Sequence, residues 1–512
     1  MQEEKTNKIT KNTITLTLRM FITMGISIYS SRIILQALGV VDYGIYNVIS
    51  GVIAMFSFLN NTMVASTQRF LNYSLGEKNH KETYKIFNTS ISLHLILACI
   101  LIVIAELIGV YFINNHLEIP SDRIFAANII FQFTIITSVA NIISIPYKAL
   151  IIAFEKMSIY AYEAIFQSMA TLIASLLILY SHKDKLIIYG FSLMIISILI
   201  RCFDGWYCSH KLLYTYKIKL DKKLTKNILS FSGWNTLTTL AHFAYTQGTI
   251  FLINIFYGPA INAAQALANQ INLSLLTFNS NFIMAVKPQI IKSYAENNIQ
   301  YMQKLITYSL KISCLIMGIV TTPFIIKTEY ILSLWLQQVP LYTSEFLQLA
   351  LILSIIVSFS DPITTAIQAT GNIKNYQITE FLFLISILPS TYLLFKLEYQ
   401  PYSTYYIRII FFIILLIARL LFLNLILNLS FRYFLQNVVL RIISSVACSI
   451  IILYQIGKII PDNLYYFILL CFLSLITNLT ISIFLAFNKD ERNYFIKSIN
   501  SKMHTIKQKF NL

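Results

Sequence analysis

Apolar residues gather along the chain in fourteen runs separated by short polar segments. A run of about 20 residues, wound as an α-helix, crosses the hydrocarbon core of a bilayer. The runs lie near 13–35, 45–67, 87–113, 124–146, 161–180, 187–207, 229–257, 263–285, 306–326, 345–367, 377–395, 405–427, 438–456 and 464–487. The first is the weakest, being rich in Thr and Ser. The pattern predicts an all-α polytopic membrane protein. Strands of a β-barrel would show as alternating segments of about 10 residues, whereas stretches such as Leu172–Tyr180 show long apolar runs without that alternation.

Composition agrees. Hydrophobic residues make up 57% of the 512 and charged residues 12%, with a mean hydropathy of +0.67. Soluble domains carry about 25% charged residues. The net charge of +17 invites a nucleic-acid reading, but the excess lies in the segments between runs, and no nucleic-acid partner is expected. With the N-terminus inside, 27 of the 39 Lys and Arg residues fall in cytoplasmic segments and 6 in outer loops. That asymmetry predicts both termini in the cytoplasm. No cleavable signal is expected, since a largely polar twelve-residue arm with Lys5, Lys8 and Lys11 precedes the first run. The six cysteines form no CxxC pair and read as small core hydrophobes. No metal site and no cofactor are expected.

The chain also repeats. At a shift of 219, Gly39 aligns with Gly258, Asn60 with Asn279, Ser74 with Ser293, Glu77 with Glu296, Asn79 with Asn298 and Lys85 with Lys304. At a shift of 216, Pro146 aligns with Pro362, Ala153 with Ala369 and Tyr160 with Tyr376. Six runs separate the copies, so both have the same orientation, as in transporters built from two six-helix halves. This predicts a six-helix lobe over 1–227, a second over 228–430, and two further helices with a basic tail over 431–512.

Polar groups in hydrocarbon are costly, so their placement carries information. Arg19, Thr23, Ser27 and Ser30 share one face of the first helix. Asn262, Gln265, Asn269, Asn272 and Asn279 share an arc of the eighth, and the repeat sets Tyr46, Ser50 and Asn60 at matching places in the second. The seventh adds Asn235, Thr239 and His242. Together they are expected to line a hydrated cavity; singly, each fits an interhelical hydrogen bond equally well. Arg408 and Arg419 share a face of the twelfth helix. Arg201 lies near a helix end, where it can snorkel, with Asp204 three residues on. Asp361 and Glu106 are the acidic candidates for ion coupling. No P-loop, Ser-His-Asp, HExxH or paired-carboxylate arrangement stands out, so no catalytic residue is assigned and no enzyme is expected.

Several stretches resemble a known family. LGVVDYGIYNVISG at 38–51 resembles the L-G-x-x-x-[YF]-G-x-[YF] signature of polysaccharide flippases, and ASTQRFLNYSLGE at 65–77 their following loop. ALIIAFEKMSIYAYEAI at 149–165 and AIQATGNIKNYQITEF at 366–381 resemble the paired loops after the fourth and tenth helices. The chain is thus similar to the lipid-linked oligosaccharide (Wzx-like, O-antigen and capsule) flippases of the multidrug/oligosaccharidyl-lipid/polysaccharide (MOP, MATE-like) exporter superfamily. The resemblance implies two bundles forming a V. It implies a multi-pass protein of the bacterial inner membrane that moves an undecaprenyl-pyrophosphate-linked oligosaccharide to the periplasmic leaflet by alternating access. Its partners would be that lipid-linked substrate and membrane lipids, with a polysaccharide polymerase and glycosyltransferases beside them. The family's cavity is cationic; Arg19 fits that role, Arg408 and Arg419 are further candidates for the pyrophosphate, and Arg69 and Lys287 sit where the halves meet the cytoplasmic surface. Drug exporters of the superfamily usually carry an acidic residue in the first or seventh helix, which this sequence lacks. The alternatives are an ion-coupled multidrug exporter of the same fold and, less favoured, a membrane-embedded glycan polymerase or ligase.

Overall fold

The computed structural model describes residues 2–54, 57–115, 120–217, 220–336, 339–488 and 491–492. Every regular element among them is helical. The chain starts with α1 (Gln2–Ala54), α2 (Ser57–Gly76) and α3 (His80–Ile104), which runs through a π-turn into α4 (Val110–Asn115). Next come α5 (Ile124–Ala153), α6 (Met157–Leu179), α7 (Lys185–His210), α8 (Lys222–Tyr257) and α9 (Pro259–Ala295). They are followed by α10 (Ile299–Ile326), α11 (Thr328–Trp335), α12 (Thr343–Ser358), α13 (Ser360–Thr370), α14 (Lys374–Lys396) and α15 (Ser403–Leu427). The chain closes with α16 (Phe431–Phe434), α17 (Leu440–Ile459) and α18 (Leu464–Leu485).

Ten helices among the described residues are long and apolar enough to cross a membrane. They coincide with ten of the fourteen expected runs. The other four runs, at 13–35, 45–67, 229–257 and 263–285, fall on α1, α2, α8 and α9, which are helical but carry the polar stripes. The surface is that of a lipid-facing protein: Phe125 is 74% exposed, Leu177 66% and Ile459 84%. Such side chains gain nothing by leaving lipid, so helix packing here rests on close fit and hydrogen bonds.

The backbone breaks recur with the period seen in the sequence. The loop expected between the first two runs shrinks to one left-handed residue, Gly39, at φ 75°, and its counterpart Gly258 has φ 83°. Lys78 and Asn297, one shift of 219 apart, have φ 56° and 54°. Glu155 and Gly371, one shift of 216 apart, have φ 58° and 79°. The turns match in hydrogen bonding as well: the Asn79 amide donates to Ser74 O and the Asn298 amide to Ser293 O, both at 3.0 Å. The run at 345–367 is broken before Pro362, which sits at the third position of α13, where its missing N–H is not needed.

The helices group into two compact units. The first comprises Met1–Ala241, Met284–Asn298 and Gln368–Ile378. Its core sets Ile45 and Ile49 of α1 against Ile130 and Phe131 of α5 and Tyr189 of α7. A second cluster joins Leu71, Phe87, Tyr147, Leu150 and Tyr214. Arg123 clamps Asp42 and Asp184, and Asp184 also caps α7 by accepting from the Leu186 and Ile187 amides.

The second unit comprises His242–Ile283, Ile299–Ile367 and Thr379–Leu512. Ala264, Ala268 and Leu275 of α9 pack with Phe346, Leu347 and Leu351 of α12 and with Tyr405 of α15. The small side chains let the backbones approach closely. The helices without repeat partners are built into this unit: Ser474 of α18 donates to Ile319 O of α10 at 2.9 Å, and Lys311 pairs with Glu491 at 2.6 Å.

Candidate functional site

The chemistry of the second unit converges on Arg408. Position 408 lies on the first turns of α15, whose continuous apolar sequence drives it into the membrane. The residue is 5% exposed. Its guanidinium lies 4.9 Å from the Tyr405 ring centroid and 5.4 Å from that of Tyr245 on α8. Its Nε has no hydrogen-bond partner, and among the described residues no carboxylate pairs with it. Beside Tyr405 stands Gln265 of α9, 1% exposed, within hydrogen-bonding reach of the Tyr405 side chain, as Arg408 is. Asn269, one turn on, accepts from the Tyr405 hydroxyl at 3.0 Å. His242 meets the Tyr245 hydroxyl at 3.3 Å and stacks at an angle on Phe412. A buried cation without an anion is an expensive arrangement, several kcal/mol by order of magnitude. Two rings offset part of that through cation–π attraction, about 0.5–2 kcal/mol each.

Arg419 is different, although it shares the helix face. It donates to Ser360 Oγ at 2.5 Å and forms an ion pair with Glu380. Its charge is already met. The lower part of the α9 stripe is also taken up: Asn272 accepts from Ser354 at 2.6 Å, while Asn279 accepts from Ser313 at 2.7 Å and donates to Asp361 at 2.9 Å. Asp361 thus holds α9 to the start of α13. So the stripe read from the sequence divides into a part that gathers around Tyr405 and a part that joins α9 to α10, α12 and α13.

In the first unit, Arg19 lies 5.0 Å from the Tyr160 ring centroid. Along the same face, Thr23 donates to Met20 O and Ser30 to Ile26 O, so both hydroxyls are tied to their own helix. Ser27 is exposed. Tyr46 packs edge-on against Tyr189 in the core. The side chains of Ser50 and Asn60 lie outside the described residues. Asn235 accepts from Gln377 at 2.6 Å, and Thr239 bonds back to Asn235 O. Glu106, in the π-turn after α3, accepts from Gln132 at 3.2 Å.

Arg69 takes part in a feature that the sequence did not announce. It donates to Gln368 O at 2.9 Å and Ala369 O at 3.0 Å, sandwiched among Phe70, Tyr73 and Phe231. A Cβ on Gly371 would collide with its guanidinium. The mirror contact joins the equivalent parts exchanged: Glu155 accepts from Gln289 at 2.7 Å and Lys292 at 2.6 Å. In each case the end of one helix (α2 or α9) grips the left-handed turn of the other sequence half. The repeat, which pairs Glu155 with Gly371, was the available signal. Lys287 sits half-buried near the same end of α9.

A family model described as polysaccharide biosynthesis protein matches residues 9–294. The comparison with curated proteins found no match. Among solved structures, the chain is similar to a MATE in the bent conformation, with TM-score 0.71 and 12% identity over 82% of this chain and 96% of that one. It is similar to an outward-facing multidrug resistance MATE family transporter of the MOP superfamily, with TM-score 0.69 and 13% identity over the same shares. A MOP superfamily transporter from Pyrococcus furiosus, described by the reversed polarity of its binding pocket, gives TM-score 0.68 and 13% identity, again over 82% and 96%. Identities this low speak for fold alone, and they agree with the all-helical architecture. The family match covers more than half of the sequence, so the chain belongs to the polysaccharide biosynthesis protein family and has the fold of MOP-superfamily membrane transporters.

Proposed function

We propose that this protein is a flippase that carries an undecaprenyl-pyrophosphate-linked oligosaccharide from the cytoplasmic to the periplasmic leaflet of the bacterial inner membrane. The observation that carries the reading is Arg408, a buried guanidinium with no carboxylate partner among the described residues, with the buried amide of Gln265 beside the same Tyr405. Pyrophosphate oxygens suit the planar donor fork of an arginine, and such charge-assisted bonds are about twice as strong as neutral ones. Gln265 and Asn269 suit sugar hydroxyls. Arg19 offers a second cation in the other sequence half. A multidrug exporter of the same fold is the rival reading, since MATE neighbours fit it as well. A cationic drug would meet a repulsive Arg408 and no free carboxylate beside it.

The test is complementation of a flippase-deficient strain, scored as surface polysaccharide with protein abundance measured alongside. Arg408→Ala is expected to reduce export at least tenfold at normal abundance, and Arg408→Lys to restore part of it, because the charge survives and the fork does not. Export by Arg408→Ala equal to wild type would remove the anion site from this position.

A further inference from the structure

A second group of buried charges lies in the first unit, far along the chain from Arg408, on α5, α6 and α7. Lys148 of α5 forms an ion pair with Glu163 of α6 at 2.7 Å. Asp204 of α7 adjoins Glu163, Lys148 and Ser144. Glu163 is 6% exposed and Asp204 fully buried. The Asp204 carboxyl lies within hydrogen-bonding reach of Glu163 and Ser144, and two carboxylates share a hydrogen bond only through a proton. The other ionisable groups around them are Tyr147 on α5, Tyr160 on α6, and Arg201 and Cys208 on α7. From α1, Arg19 reaches the cluster through Tyr160. Arg201 does not pair with Asp204: its guanidinium lies over Tyr147, 4.0 Å from the ring centroid, and forms no ion pair with the carboxylate.

Charge counting then decides the state of the site. Two carboxylates face one ammonium. An ionised Asp204, fully buried and without a cation of its own, would be the costliest species in the cluster. A metal cation there would be repelled by the Lys148 ammonium, which already occupies Glu163 Oε1. The smallest positive charge that fits is a proton on the facing oxygens. We propose that Glu163 and Asp204 form a binding site for one exchangeable proton, held between α6 and α7 and backed by Lys148. The site is joined to the candidate phosphate-binding Arg19 by a short relay: Tyr160 carries Arg19 on its ring face and lies within electrostatic reach of Lys148. Proton binding and release at Asp204 therefore changes the field at Arg19. That supplies a driving ion to the transporter, an idea that goes beyond the proposed cargo and holds for any cargo.

The experiment uses the full-length protein in proteoliposomes and an apolar carbodiimide. The reagent adds the O–H of a protonated carboxyl in an apolar environment across its C=N bond, and an oxygen-to-nitrogen shift leaves a stable acylurea that mass spectrometry places on a residue. Labelling is expected at Asp204 or Glu163, falling as the pH is raised from mildly acid to alkaline and unchanged by added sodium or lithium. Glu380, held by Arg419, is the unlabelled control. Asp204→Asn is expected to lose the pH-dependent label completely, because the proton is then no longer shared between two carboxyls and Glu163 stays paired with Lys148. The wild-type pH profile needs no variant, so a misfolded Asp204→Asn does not shield the proposal. Absence of label at both residues at every pH overturns it. So does labelling suppressed by sodium at constant pH, which would make this a metal-cation site. Neither readout involves polysaccharide export, so failure here is distinct from failure of the flippase reading.

Discussion

At the scale of single residues, two arginines eleven positions apart on one helix face perform opposite tasks. Arg408 stands without a carboxylate, whereas Arg419 is locked to Glu380. Periodicity makes their common face legible; it does not reveal Glu380, which lies on a helix whose contact is set by tertiary packing. The pair gives a prediction. Arg419→Ala strands a buried carboxylate and should destabilise the protein by about 3–5 kcal/mol, while the double variant Arg419→Met with Glu380→Leu should recover most of that. Thermal unfolding in detergent, followed by fluorescence, checks both. A pH-dependent case lies at the start of α7. Burial works against the Asp184 carboxylate, but the hydrogen bonds from Arg123 and from the Ile187 and Leu186 amides outweigh it and hold its carboxyl below the usual carboxylate range. A lowered folded-state value means stability that is present above the unfolded value, about 3.9, and is lost as the pH falls through the folded one. The contribution should therefore disappear only below about pH 4, and Asp184→Asn should flatten the melting temperature against pH in that window.

At the scale of elements, the sequence repeat carried much further than the hydrophobic pattern alone. Pairs aligned only by identity, such as Gly39 with Gly258, prove to be the same left-handed break in two helices. At φ 83° a Cβ is strained whatever the space around it, so Gly258→Ala should cost about 1–2 kcal/mol, and Gly258→Asn less, since Asn tolerates that region. Gly76 differs, being constrained by contact: an added Cβ would lie 2.7 Å from Ala295 Cβ and 2.8 Å from Lys292 O. Gly76→Leu should force the ends of α2 and α9 apart. A cysteine pair at Tyr73 and Tyr294, whose rings are 6.3 Å apart, should crosslink readily in the wild-type background and poorly with Gly76→Leu. The grip of Arg69 on the 368–371 turn was not legible, because backbone carbonyls leave no mark in a sequence. The divided fate of the α9 stripe was hidden for a similar reason: Gln265 and Asn279 look alike until their neighbours Tyr405, Ser313 and Asp361 are in place.

At the scale of the whole molecule, membrane class and all-helical fold were readable from run length and composition, since a bilayer leaves few alternatives. The charge asymmetry between successive segments gives a topology prediction: reporters truncated after Lys211 should be active in the cytoplasm, and those truncated after Tyr180 outside. The reverse pattern would invert the proposed direction of transport. The division into compact units was less legible, because the first unit draws Met284–Asn298 and Gln368–Ile378 from the second sequence half. Those segments supply the partners of Arg69 and Glu155. A ribosome adding about 5–20 residues per second needs roughly 7 to 30 s to extend the chain from Ala241 to Ile378. Glu155 waits for Gln289 and Lys292 through the early part of that interval, and Arg69 waits for Gln368 and Ala369 until almost its end. It is during this window that insertion factors and proteases meet an unfinished protein, and a chain released before Ile378 would be open to degradation although its first seven helices are already in the membrane.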